Sequence, residues 1–135
     1  MPKVKGTHHV AIQVTDLAAA ERFYNGVLGL PVLQRWPEPD GSLRSVWLAD
    51  GGGVFIALEK ASANAGRPSE RPFHDSAAGW HLVALRIDAA ERAAWEAHLE
   101  QSGVAVVHRS RWTLYLRDPD GNRVGLSHHP DEAEG

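Results

Sequence analysis

HHVAIQVTD, residues 8–16, and HLVALRID, residues 81–88, are two versions of one phrase. In the first, Val10, Ile12 and Val14 alternate with His9, Ala11 and Gln13, the period of a strand with one buried face. Both phrases close on an aspartate. A second echo lies further along. WLADGGGVFIAL (47–58) is answered by YLRDPDGNRVGL (115–126), 68 positions on and without a gap. Two copies of one pattern within 135 residues mean a duplicated unit rather than two unrelated domains.

Working outward from the first phrase, Asp16 is placed to cap a helix in which Leu17, Ala20, Tyr24 and Val27 share one face. Gly29 stands where a helix C-terminus favours positive φ. Strands are expected over about 31–36, 43–49 and 53–60, with DGGG at 50–53 as a hairpin turn. The second half repeats the order. A strand spans 81–87, and Asp88 with Glu91 three residues later forms a capping-box pattern. Gly103 ends the helix, and strands follow near 104–109, 112–117 and 122–128. Pro119 and Gly121 suit the turn DPDGN.

The expected organisation is therefore a single domain over 1–135: module 1 about 7–60, an Ala/Ser/Pro/Gly-rich linker 61–79, module 2 about 80–129, and a frayed acidic tail 130–135. Each half reads β-α-β-β-β, and neither covers both faces of its own sheet. Two such tandem βαβββ modules make an α+β fold, a curved mixed sheet with helices outside and a cleft within.

Composition excludes several classes. The chain is 43% hydrophobic and 23% charged with net charge −3 and no basic block, which argues against nucleic acid as a partner. No apolar run reaches the ~20 residues of a membrane span, so no membrane partner is expected. There is no signal-peptide core, and a cytoplasmic location is the default expectation. With no cysteine, disulfides, thiolate metal ligands and a cysteine nucleophile are all excluded.

HHVAIQVTDLAAAERFYNGVLGLPVL followed by YLRDPDGNRVGL resembles the vicinal oxygen chelate superfamily: glyoxalase I, extradiol dioxygenases, fosfomycin-resistance enzymes and bleomycin-binding proteins. The resemblance covers about 7–128 and specifies the fold far better than the reaction. It implies, for members that do chemistry, a divalent metal held by a His on the first strand and a Glu on the last strand of each module. It also implies a homodimer.

Carried over residue by residue, that ligand set is incomplete. His9 matches the first histidine. The apolar register sets Ala84 against Ala11 and Leu85 against Ile12, so His81 falls opposite His8 and the position answering His9 is Leu82. Bringing His81 there takes a one-residue bulge. The glutamate positions are Ala57 and Gly125, which carry no donor. A displaced set recruiting Glu59, His81 or His129 beside His9 is the alternative, and would hold Zn, Ni, Mn or Fe. Otherwise no cofactor is expected.

The cleft is expected to be lined by His9, Ala11, Gln13, Phe55, Ala57, Glu59, Leu82, Ala84, Arg86, Arg123, Gly125, Ser127 and His129. Small residues where the glutamates would project leave room for a small organic molecule. Arg86 and Arg123 either pair with a carboxylate or phosphate or reach solvent at strand ends. Trp47 and Trp112 are expected on strands, with Trp36 ending one. They either stack on a planar ligand or belong to the core or a dimer interface. Trp95, one turn before Leu99, is expected in the core. Three functional readings follow: a small-molecule-binding protein with a degenerate metal site, acting by sequestration or as a metal-independent enzyme; a metal-dependent lyase or dioxygenase with recruited ligands; or a subunit with an inert cleft that serves as an interaction partner.

Overall fold

The computed structural model describes residues 1–62 and 78–133, so most of the expected linker lies outside the described residues. The chain divides into two compact units, Met1–Ala65 and Gly66–Gly135. Each contains one helical segment and one four-stranded mixed sheet.

In the first unit, β1 (His9–Val14) is followed by α1 (Leu17–Glu21), which widens into a π-helical stretch, Arg22–Val27. Strands β2 (Val32–Pro37), β3 (Leu43–Ala49) and β4 (Phe55–Lys60) complete it. The sheet order is β1-β4-β3-β2, with β1 and β4 parallel and the other pairs antiparallel. Asp16 caps the helix as its position predicts: its carboxylate accepts the Ala19 N–H at 3.1 Å. The wider turn shows in the Leu28 N–H, which reaches back five residues to the Phe23 carbonyl at 3.0 Å. Gly29, at φ +78°, then reverses the chain, the conformation an L side chain resists. Ala20, Phe23, Tyr24 and Leu28 are buried with Val46, Leu48, Ile56 and Leu58 of β3 and β4, on which α1 packs.

In the second unit, β5 (Val83–Arg86) leads through a 3-10 turn, Ala89–Glu91, into α2 (Arg92–Gln101). Strands β6 (His108–Arg109), β7 (Thr113–Arg117) and β8 (Arg123–Ser127) follow, in the order β5-β8-β7-β6. The capping box expected from Asp88 and Glu91 does not form. Asp88 makes no side-chain cap, and the 3-10 turn holds the helix start instead. Gly103 (φ +73°) ends α2 as expected. Trp95 is only half-buried, on a shallow surface hollow with Glu91, Ala94 and His98, while Leu99 carries the core contact.

Arg92 joins α2 to the sheet. Its guanidinium donates to the carbonyls of Ser110 (3.0 Å) and Arg111 (3.1 Å) and to His128 Nε2 (3.1 Å). A guanidinium only donates, so Nε2 accepts and Nδ1 carries the proton, which goes to the Asp131 carbonyl at 2.5 Å. The start of the acidic tail meets the body there, and Arg111 also pairs with Glu132.

The duplication extends to the turns. Asp50 Oδ1 accepts the N–H groups of Gly52 (2.7 Å) and Val54 (3.2 Å). At the same 68-residue offset, Asp118 Oδ1 accepts those of Asp120 (2.9 Å) and Asn122 (2.8 Å). A short acidic side chain satisfying its own turn is why Asp recurs at both positions. Asp40, in the β2–β3 turn, accepts the Ser42 hydroxyl (2.6 Å) and N–H (2.9 Å), and this holds its carboxyl below the ordinary value of 3.8.

Candidate functional site

Strand pairing turns the period-two pattern into a grid. In the first unit, the face opposite the core carries three rows across β2, β3, β4 and β1. The upper row is Ala49, Phe55 and His9. The middle row is Gln34, Trp47, Ala57 and Ala11. The lower row is Trp36, Ser45, Glu59 and Gln13. The upper row carries Phe55 and His9, the middle row sets Trp47 beside two alanines, and the lower row sets Trp36 beside three polar residues.

The aromatic rings form a continuous run. Trp47 stacks on Phe55 (centroids 4.4 Å, planes 22° apart), and Phe55 stacks on His9 (4.7 Å, 4°). These separations approach the ~4.8 Å spacing of neighbouring strands, as expected for rings standing upright on adjacent strands. The run is closed edge-on by Trp36 against Trp47 (5.2 Å) and by His8 against His9 (5.1 Å). His8 Nδ1 and His9 Nδ1 lie 2.9 Å apart, so one of them carries the proton between them. Three donors on this face have no partner among the described residues: the indole N–H of Trp36, that of Trp47, and the hydroxyl of Ser45, which is 2% exposed.

The second unit repeats the grid across β6, β7, β8 and β5. Arg117 and Arg123 share a row, His108, Tyr115, Gly125 and Ala84 make the next, and Thr113, Ser127 and Arg86 the last. At the 68-residue offset Thr113 answers Ser45, Tyr115 answers Trp47 and Gly125 answers Ala57. Thr113 Oγ1 donates to Ser127 Oγ at 2.9 Å. Leu82 precedes β5 and leans over Gly125. A Cβ built on Gly125 would meet Leu82 Cδ1 at 3.5 Å, Ala84 Cβ at 3.6 Å and Thr113 Cγ2 at 3.1 Å. His81 also precedes the strand, and β5 runs against β8 from Val83 to Arg86 without a bulge. Arg123 is buried, 6% exposed, with Nη1 at 3.4 Å from the His81 carbonyl, whereas Arg86 is exposed.

The structure thus groups His9, Gln13, Phe55, Glu59 and Trp47 on one face of the first unit, and Leu82, Arg86, Arg123 and Ser127 on one face of the second. Trp112 is separate. It lies in the bend before β7, with the Arg111 guanidinium 4.5 Å from its ring centre and His128 and His129 at its edges. His129, past the end of β8, is exposed, and its N–H approaches Ser127 Oγ at 3.4 Å. Sequence reasoning passed over Ser45, Thr113 and Tyr115. Their signal was available, since the first two carry hydroxyls at matching places in the repeat.

The donor set does not suit the divalent ion that the resemblance implies. Ala57 and Gly125 offer no ligand atom, and Gly125 has no room for a longer side chain unless Thr113 and Leu82 shift. The β1–β4 register puts His9 beside Phe55 and Glu59 beside Gln13, four residues apart, or ~13 Å along the strands. Side chains that stand upright across that distance do not both come within ~2 Å of one ion. Among the described residues, no three His, Asp or Glu side chains are grouped to hold a metal. No helix of the described residues is long and apolar enough to cross a membrane.

Comparison with known proteins bears on the fold. The model of a family described as Glyoxalase/Bleomycin resistance protein/Dioxygenase superfamily matches residues 6–126. A glyoxalase/dioxygenase from Nostoc punctiforme superposes with TM-score 0.76 at 21% identity, over 94% of this chain and 92% of that one. Lactoylglutathione lyase from Agrobacterium tumefaciens gives TM-score 0.69 at 28% identity, covering 95% and 96%. A mutant of the fosfomycin resistance protein FosX from Listeria monocytogenes, complexed with Mn(II) and a dihydroxypropylphosphonic acid, gives TM-score 0.69 at 17% identity, covering 93% of each chain.

Proposed function

The chain belongs to the Glyoxalase/Bleomycin resistance protein/Dioxygenase superfamily, and from that premise we propose that it binds a small organic molecule on its sheet faces without a resident divalent metal. One observation carries the reading. At the centre of each face, where relatives that do chemistry place a metal-binding glutamate, stand Ala57 and Gly125, each beside an aromatic residue of the next strand, Trp47 or Tyr115. A small residue flanked by rings and hydroxyls suits a hydrophobic ligand with few polar anchors. The protein then acts by sequestering its ligand, and the family's Lewis-acid step is not assigned to these residues. A cytoplasmic homodimer is part of this proposal, by family resemblance.

The test is metal content by mass spectrometry after incubation with Zn, Ni, Mn and Fe(II) and exhaustive dialysis, paired with tryptophan fluorescence during titration with small organic molecules. Less than about a tenth of an equivalent of metal per chain, with saturable quenching by an organic ligand, is the expected outcome. Close to one metal per chain or per dimer, lost on His9→Ala, overturns it. That result would point to a metal-dependent lyase or dioxygenase with ligands recruited from Glu59, His81 or His129.

A further inference from the structure

We infer that the face of the first unit selects a planar, uncharged aromatic molecule carrying a carbonyl or similar hydrogen-bond acceptor, bound through the indole N–H groups of Trp36 and Trp47 and the hydroxyl of Ser45. The inference deepens the small-molecule reading above and rests on it.

Three observations point to this chemistry. The first is the unsatisfied donors. Buried N–H and O–H groups without partners are rare in folded proteins, because each forfeits the hydrogen bonds it makes in water. Here three lie on one sheet face, two on adjacent strands in the same row (Trp36 beside Ser45) and the third on the diagonal (Trp47). All three can donate, so the complementary group is an acceptor.

The second is ring orientation. Trp47, Phe55 and His9 stack against one another, so their faces are occupied and their edges look away from the sheet. Ring edges carry the positive end of the aromatic quadrupole. They therefore favour the electron-rich face of a flat ligand or its oxygen atoms, and disfavour a cation. Of the two small residues in the middle row, Ala11 is exposed, and Ala57 is buried beside Trp47, so the rings above it, not an open floor, are what a ligand would meet.

The third is charge. Glu59 sits in the same row as Ser45 and Trp36, directly opposite Ser45 in the β3–β4 register. Its carboxylate repels an anionic ligand, although the donors alone would accept one. A neutral carbonyl satisfies the donors without that repulsion.

The test uses the intact chain with its five tryptophans labelled at the indole nitrogen, and three probes of similar size: chromone (flat, neutral, one carbonyl), naphthalene (flat, no acceptor) and 1-naphthoate (flat, anionic). Single Trp→Phe variants assign the N–H resonances. Chromone is expected to move the Trp36 and Trp47 signals downfield, leave those of Trp80, Trp95 and Trp112 in place, and bind at least tenfold more tightly than naphthalene. It is also expected to outbind 1-naphthoate, with Glu59→Gln narrowing that gap. Trp47→Phe keeps a ring and removes one donor, so it should weaken chromone about three- to tenfold and leave naphthalene unchanged.

Ser45→Ala gives a signature that a merely structural serine would not. Removing an unsatisfied buried hydroxyl should raise the urea midpoint of the free protein while weakening chromone. Equal binding of chromone and naphthalene, tighter binding of 1-naphthoate, shifts confined to other tryptophans, or no binding by any probe would each overturn the inference. Its failure is distinguishable from failure of the small-molecule reading. A metal-free protein that binds chromone and naphthalene alike keeps the reading and rejects the donors. A metal-retaining protein rejects the reading, whatever the tryptophan signals do.

Discussion

Arg92 shows how much one side chain can join. It serves two carbonyls and His128 Nε2, and His128 is 2% exposed. Arg92→Ala strands a buried imidazole nitrogen and loosens both the start of α2 and the Ser110–Arg111 corner. A buried acceptor left without its partner costs about 1–3 kcal/mol, so a loss of about 2 kcal/mol is expected in urea denaturation. Arg92→Lys should recover less than half of it, because an ammonium does not reproduce the planar fork. Gly125 poses a different residue-scale question. Its added Cβ would press on Thr113 Cγ2 at 3.1 Å, and Thr113 is held by its hydrogen bond to Ser127. Gly125→Ala is expected to cost about 1 kcal/mol, the low end for overpacking. If the variant is as stable as the parent, Thr113 yields freely and the crowding argument is wrong.

At the scale of elements, the two helices begin differently although their sequences rhyme. Asp16 and Asp88 both follow a first strand, and period and composition alone make them equivalent caps. Only Asp16 makes the side-chain bond; Asp88 precedes a 3-10 turn whose first bond is backbone, from the Glu91 N–H to the Asp88 carbonyl at 3.0 Å. Asp16→Ala should therefore cost about 1 kcal/mol while Asp88→Ala stays within about 0.5 kcal/mol of the parent, both read from urea midpoints. Equal effects would mean that Asp88 caps in solution after all. Strand faces were legible, because alternation assigns each residue a side. Strand ends were less so: β6 is two residues long where six were expected, and β5 four where seven were expected. Apolar character extends past the last ladder hydrogen bond, so pattern overstates length.

At the scale of the molecule, family membership makes a homodimer the expected assembly, and sedimentation at micromolar concentration should find two chains. A single chain at all concentrations would refute it. Whether a ligand or a metal is retained belongs to this scale too, because it depends on how side chains from several strands are brought together.

The sequence by itself determined the duplication, the α+β class, the turn aspartates at a fixed offset and the face on which each strand residue lies. These are properties of repeat and period, which act between near neighbours or copies along the chain. It also showed that Ala57 and Gly125 carry no ligand atom. Only tertiary structure decided which residues meet. The pairing of β1 with β4 put His9 beside Phe55 and four residues from Glu59; the pairing of β5 with β8 brought Leu82 over Gly125; the ladder across β2, β3 and β4 gathered Trp36, Trp47 and Ser45 with their donors unmet. A period of two names the side of a sheet but not the neighbour across it. That neighbour is chosen by register between strands far apart in sequence, and hydrogen bonding and packing are settled only there.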